Sequence, residues 1–220
     1  MVELKDFFDI GNILFTIGGQ NVSFLEVFSV TAGLACVFLA TRAKVANFWL
    51  GYIYNIFLFI LFYQKGLYSS MLLQPISVII NFYGHYRWTH PKRGEENDNR
   101  QLRITLLSNV KRLGYFGMLF VFAAIWGIFM KFLPDIAPDL FREPSRPFLD
   151  AFVTGAILVA QYLSAQKKLE CWGAWFVVNI TNVTLYLLAG MVFLPMVSAA
   201  YLVLAFFGYR SWYKQWKNRK

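Results

Sequence analysis

The chain has 220 residues, 58% of them hydrophobic and 19% aromatic, and only 15% are charged, against the roughly 25% of a soluble domain. That composition excludes an ordinary soluble domain and predicts an all-α integral membrane protein. The net charge of +9 does not make a nucleic-acid surface, because the 21 Lys and Arg stand between apolar runs.

Residues 1–22 come first. Phe7, Phe8, Ile10, Ile13, Leu14 and Phe15 follow a helical spacing beside Asp6, Asp9 and Asn12, which predicts a segment lying along the membrane interface. Glu3, Asp6 and Asp9 stand where a secretory signal is basic, so no cleaved leader is expected. Seven apolar runs follow, at 24–41, 46–64, 67–88, 112–133, 148–165, 171–189 and 191–212. Each is near the roughly 20 residues that cross a bilayer core. The stretch Thr89 to Lys111 is polar, contains Pro91 and Gly94, and reads as a solvated loop. The predicted organisation is therefore a three-helix bundle at 23–90 and a loop at 91–111. A linker helix with its outer loop follows at 112–146, then a second three-helix bundle at 147–213 and a basic tail at 214–220.

Arg42, Lys44, Arg87, Lys92, Arg93, Arg100, Arg103, Lys111, Arg112, Lys167, Lys168, Arg210, Lys214, Lys217, Arg219 and Lys220 all fall on one side of these spans. Only Lys5, Lys65, Lys131, Arg142 and Arg146 fall on the other. The positive-inside rule then places the N-terminus outside and the C-terminus in the cytoplasm, with anionic lipid headgroups as the partners of the basic side.

A shift of 124 residues lays FLEVF, from Phe24, on FLDAF, from Phe148. At the same offset Leu39 meets Leu163, Lys44 meets Lys168, Asn55 meets Asn179, Gly84 meets Gly208 and Trp88 meets Trp212. Two copies of three helices separated by one helix cross in the same direction. The seven spans therefore form a 3+1+3 arrangement of parallel repeats, with a substrate cavity expected where the bundles meet.

Carboxamides mark that cavity, since an amide facing lipid costs several kcal/mol, on the order of 2 to 7. Asn55 and Asn179 lie near mid-span. Gln74, Ser77, Asn81 and His85 share one helical face; Trp172, Trp175, Asn179, Asn182 and Tyr186 share another. Both stripes can oppose each other across the axis. The competing reading is interhelical glue, worth roughly 0.6 to 2 kcal/mol per pair. Trp172 suits interfacial anchoring as well as substrate contact, and Trp49, Trp88, Trp212 and Trp216 read as anchors. His85 and His90 read as solvated.

No ionisable residue falls at the centre of a span, which argues for facilitated diffusion over ion coupling. Glu26 and Asp150 read as helix N-terminal charges or as an outer lure for cations. Cys36 and Cys171 show no metal or disulfide spacing and read as apolar fillers. No catalytic residues, metal or cofactor are expected. Pro75 and Pro195, one on the third helix of each bundle, read as hinges or as static kinks.

The segments MLLQPISVIINFYGHYRW (Met71 to Trp88) and CWGAWFVVNITNVTLYLLAG (Cys171 to Gly190) carry the patterns Q-x6-N-x-Y-G-x3-W and W-x2-W-x3-N. With them the chain resembles, over nearly its full length, the PnuC family of bacterial nicotinamide riboside transporters. The resemblance implies a fold like that of the SWEET sugar carriers, an inner-membrane location, and uptake by facilitated diffusion with trapping by a cytoplasmic kinase. It also implies a homo-oligomer, a trimer as in similar transporters. Gln74, Asn81, Trp175 and Asn179 are then substrate contacts by resemblance. Asn182, Asn55, Tyr186 and Trp172 join them from the stripes and the repeat. Thiamine, another cationic aromatic, is the alternative ligand, and a ligand-sensing membrane protein is the alternative class.

Overall fold

The computed structural model describes residues 8–65, 68–96, 101–136, 138, 147–188 and 192–218, apart from the side chains of Tyr68, Ser69, Leu185 and Tyr186. Among the described residues the chain is mostly helical. A hairpin of β1 (Ile13–Ile17) and β2 (Gln20–Ser23) precedes α1 (Phe24–Thr41), α2 (Asn47–Gln64), α3 (Tyr68–Thr89), α4 (Asn109–Ile136), α5 (Pro147–Ala165), α6 (Cys171–Leu188) and α7 (Phe193–Lys217). By length and composition α1, α4, α5 and α7 can each cross a membrane. The helices α2, α3 and α6 carry the carboxamides and many of the tyrosines, which lower their mean hydropathy.

The hairpin corrects the interfacial helix expected from Phe7 to Phe15. Gly18 and Gly19 both take positive φ, +56° and +75°. That pair of left-handed residues closes a two-residue turn whose twist matches antiparallel strands, and Ile17 pairs with Gln20, Thr16 with Asn21 and Phe15 with Val22 across it. Helical spacing over so short a run competes poorly with a Gly-Gly turn.

Helix α1 starts where Ser23 and Glu26 form a capping box: Ser23 N donates to Glu26 Oε2 at 2.8 Å and Glu26 N donates to Ser23 Oγ at 3.2 Å. The Glu26 carboxylate also pairs with Lys65 at the end of α2. Its charge is thereby neutralised locally instead of standing free as a lure for cations.

Packing follows a closed circuit. α1 packs on α2, α2 on α3, α3 on α5, α5 on α6, α6 on α7, and α7 back on α1, while α4 packs on α5 from outside the circuit. Gly127 and Gly155 permit that last contact, because a Cβ at Gly127 would stand 2.5 Å from Phe148 and one at Gly155 2.7 Å from Phe122. The rest of α4 is largely exposed apolar surface, with only Ala123 and Gly127 buried.

The α1–α2 and α5–α6 turns have the same geometry. Ala43 and Lys167, which are 124 residues apart, are, among the described residues, the non-glycine ones with positive φ, 54° and 55°. Lys44 N donates to Leu39 O at 3.1 Å, and Lys168 N to Leu163 O at 2.9 Å. Ala43 N donates to Ala40 O, and Lys167 N to Ser164 O. These bonds are Schellman caps, in which a left-handed residue lets the chain reach back to the last helical carbonyls.

The core sits at the end of the bundle that carries these turns and most of the basic residues, here called the basic end. Phe48, Trp88, Leu163, Cys171, Trp172 and Trp212 are packed there together with Leu102, Ile104 and Leu107. This corrects the fully solvated loop expected between α3 and α4. Its second half lies on the core because Thr105 exchanges backbone hydrogen bonds with Lys167 and Leu169, at 3.2 and 3.0 Å. Glu170 holds Leu107 N at 3.0 Å and pairs with Arg112 at 2.7 Å. Lys168 donates to Thr105 Oγ1, and burial followed by repulsion from Lys111 pushes its ammonium pKa down. Nearer α3, the Arg87 guanidinium hydrogen-bonds Glu95 and holds that carboxylate below its ordinary range.

Candidate binding site

Trp88 and Trp212 are corrections to the sequence reading, which placed them at the membrane surface. Each is 1% exposed. Trp88 Nε1 donates across the α3–α5 seam to Ser164 O at 3.2 Å and Ala165 O at 3.1 Å. Trp212 Nε1 donates across the α7–α1 seam to Ala40 O at 2.9 Å. The two rings meet with centroids 5.8 Å apart. A buried indole needs an acceptor, and the last carbonyls of a neighbouring helix supply one. Gly84 and Gly208 sit one turn earlier on the same helices, where a Cβ would meet Phe48 at 2.8 Å and Trp172 at 2.5 Å.

Other residues read from the sequence as surface groups are also enclosed here. Lys167 is 2% exposed with its ammonium 4.2 Å from the centre of the Trp88 ring, so it faces an aromatic and not a headgroup. His85 is half-buried, stacked on Phe48, edge-on to Trp49 and 3.3 Å from Tyr52 Oη. Trp49, 62% exposed, keeps the character of an interfacial anchor. Pro195 occupies the first turn of α7, where no helical donor is lost, so it starts the helix and does not hinge it; Pro75 lies inside α3.

Away from the basic end the predicted site residues turn inward. Asn55, Gln74 and Asn179 are buried, and Asn81, Trp175 and Asn182 half-buried. Asn55 Nδ2 donates to Gly51 O at 2.7 Å and Asn179 Nδ2 to Trp175 O at 2.8 Å, the same bond at positions 124 apart. Gln74 Nε2 likewise donates one turn back, to Ser70 O at 2.9 Å. In each, one amide proton satisfies a carbonyl of its own helix and the rest of the amide remains for another partner.

Asn81 reaches across to α2, donating to Phe48 O at 3.0 Å, and its amide lies where a Cβ on Gly51 would fall. Gly51 thus lets Asn55 and Asn81 share one region. Trp175 Nε1 donates to Ser164 Oγ at 3.3 Å. Trp172, 3% exposed, packs edge-on against Trp212 with centroids 5.4 Å apart and belongs to the basic-end core. Tyr186 is on α6, with its side chain outside the described residues.

The structure adds a residue the sequence reading passed over. Gln161 on α5 donates from Nε2 to Ser77 Oγ on α3 at 3.1 Å. Gln161 and Ser164 are three apart on α5, so this one face touches both the α3 stripe and, through Trp175, the α6 stripe. The repeat offered no signal for it, since the matching position in α1 is Val37. Together, Asn55, Asn81, Gln74, Ser77, Gln161, Trp175 and Asn179 make an arc of amides, one hydroxyl and one indole along α2, α3, α5 and α6. Such a set has the chemistry to stack on a planar polar ring and to pair with an amide.

Residues 23–214 match the family described as Nicotinamide mononucleotide transporter. The chain is 30% identical to the nicotinamide riboside transporter PnuC of Escherichia coli (strain K12), over 97% of each chain. The chain belongs to the PnuC family. As a member it is a membrane transport protein and not an enzyme. It is also 24% identical to the riboflavin/roseoflavin transporter RibM of Streptomyces davaonensis, over 90% of this chain and 89% of that one. A crystal structure of the vitamin B3 transporter PnuC superposes with a TM-score of 0.69 at 22% identity, covering 90% of this chain and 83% of that chain, and so shares the fold.

Proposed function

We propose that this PnuC-family protein takes up nicotinamide riboside by facilitated diffusion across the bacterial inner membrane, with cytoplasmic phosphorylation trapping the product. The observation that carries the reading is the full-length similarity to the E. coli nicotinamide riboside transporter. The polar arc around Trp175 supports it, because nicotinamide riboside joins a cationic ring suited to an indole face with an amide and hydroxyls suited to Asn and Gln. Gln74, Asn81, Trp175 and Asn179 are the proposed contacts, with Asn55, Asn182 and Tyr186 around them, while Trp172 supports them from the basic-end core.

In the proposed architecture all seven helices cross, α1–α3 and α5–α7 as parallel repeats and α4 as the linker. The matching caps at Ala43 and Lys167 and the reciprocal Trp88 and Trp212 bonds support that symmetry. The basic end is cytoplasmic and the N-terminal hairpin outside. Lipid covers the outer surface, and the apolar face of α4 is where copies would assemble, a trimer by resemblance.

The similarity to a riboflavin transporter favours a second reading, in which the cargo is another vitamin such as riboflavin or thiamine. Uptake of labelled nicotinamide riboside, thiamine and riboflavin into proteoliposomes decides between them. Saturable entry of the riboside without any ion gradient is expected. Entry of another vitamin alone reassigns the cargo; a requirement for a proton or sodium gradient overturns facilitated diffusion; binding without flux identifies a sensor.

A further inference from the structure

One buried polar atom in the arc has no partner among the described residues: Gln161 Oε1 is shielded from solvent and accepts nothing, while Nε2 of the same amide is held by Ser77. Leaving a buried acceptor unpaired is costly, so a carbonyl fixed in this way is either a defect in packing or a contact awaiting a ligand. Its surroundings favour the ligand. Ser77 lies one turn from Gln74 on α3, and Ser164, one turn along α5, positions the Trp175 indole. The orphaned carbonyl therefore lies one turn along α5 from the residue that holds the Trp175 indole, the aromatic suited to stack on a cationic ring.

The two halves of the molecule differ at this point. At the α7–α1 seam the positions equivalent to Gln161, Ser77, Ser164 and Trp175 are Val37, Tyr201, Ala40 and Gly51. No carboxamide or indole occupies any of them. The Gln161–Ser77 and Trp175–Ser164 contacts therefore have no counterpart of the same chemistry on the other side of the circuit.

We propose that Gln161 is a specificity-determining contact of the transport site, accepting through Oε1 an N–H from the primary carboxamide of the cargo. The assignment rests on the reading of the cargo as a nicotinamide nucleoside. It makes Gln161 the group that tells a carboxamide from an isosteric ketone, since a methyl ketone keeps the carbonyl and shape but has no donor.

The test is calorimetric titration of the purified full chain in detergent with nicotinamide riboside and with 3-acetylpyridine riboside, its methyl-ketone analogue. Wild-type protein is expected to prefer the amide by roughly 10- to 100-fold. Gln161→Met, close in size but without an acceptor, is expected to bind both ligands within about threefold of each other. Gln161→Asn, which withdraws the amide by one methylene, is expected to lose the same preference should the Met variant not fold. Equal binding of the two ligands by wild-type protein overturns the assignment without any variant. Discrimination that persists in Gln161→Met or Gln161→Asn overturns it as well, and leaves the riboside reading standing. Wild-type protein that binds neither riboside removes the cargo reading and, with it, this contact.

Discussion

Gly84 and Gly208 are small because aromatic rings from the same bundle occupy the space a side chain would take. Alanine gains roughly 0.8 to 1 kcal/mol of helix propensity over glycine. The inserted Cβ would meet Trp172 at 2.5 Å in one case and both Phe48 and the Ala165 backbone in the other, and overpacking of that kind costs about 1 to 3 kcal/mol. The cost exceeds the gain. Gly208→Ala and Gly84→Ala should each lower the melting temperature in detergent; a rise in either would show that the helices can separate freely there. In the polar arc, Trp175→Ala and Asn179→Ala are expected to weaken riboside binding by about 1 to 3 kcal/mol each. Calorimetry on monodisperse protein checks this, and unchanged affinity removes the residue concerned from the site. Gln74, Asn81 and Asn179 were legible in the sequence because an amide in an apolar run has few places to go. Gln161 was not, because its meaning depends on Ser77, which lies 84 residues away.

At the scale of elements, the N-terminal segment that runs into the hairpin touches both halves of the molecule. Ile10 N donates to the Gln64 amide at the end of α2, and that amide donates to Phe8 O. On the other side Phe15 meets Phe193 edge-on, and Gln20 Oε1 accepts from Val192 N at 3.4 Å, at the start of α7. The hairpin thus straps the end opposite the basic one. Gly18 sits at its tip with φ +56°, and a Cβ there would approach Val192 Cγ2 at 2.5 Å. Gly18→Ala combines left-handed strain of roughly 1 to 2 kcal/mol with that clash. It is expected to detach the tip from α7, read as faster hydrogen exchange across 13–23; unchanged protection would mean that the strap does not depend on this turn. The helix boundaries were readable to within a few residues because apolar length and polar punctuation both mark them. The hairpin was hidden because two glycines decided it against a helical spacing of apolar residues.

The whole molecule is a circuit of six helices closed at two seams, and the same hydrogen bond guards each seam at the basic end. Trp88→Phe and Trp212→Phe keep the ring packing and remove both inter-bundle bonds, each worth about 1 kcal/mol. Together they are expected to shift the balance between closed and open forms of that end by roughly 10- to 30-fold. Proteoliposome flux should change accordingly, while riboside affinity in detergent stays within about threefold because neither indole lies in the polar arc. Unchanged flux in the double variant would mean that these seams do not open during transport.

The sequence by itself determined the membrane setting, the positions of the helices and most of the amides in the polar arc. Each follows from a local property: apolar length, charge between spans, or a polar residue where lipid would be its only neighbour. Only the tertiary structure decided that Trp88, Trp212, Lys167 and His85 are interior groups, because burial at the end of a span depends on what the opposite bundle places over it. It also decided that α5 stands between the two polar stripes, since neither periodicity nor the repeat encodes which seam a helix closes. The loop after α3 belongs with these: its polar residues marked it as a connection, and only the α5–α6 turn, more than 60 residues away at Lys167 to Glu170, made part of it core.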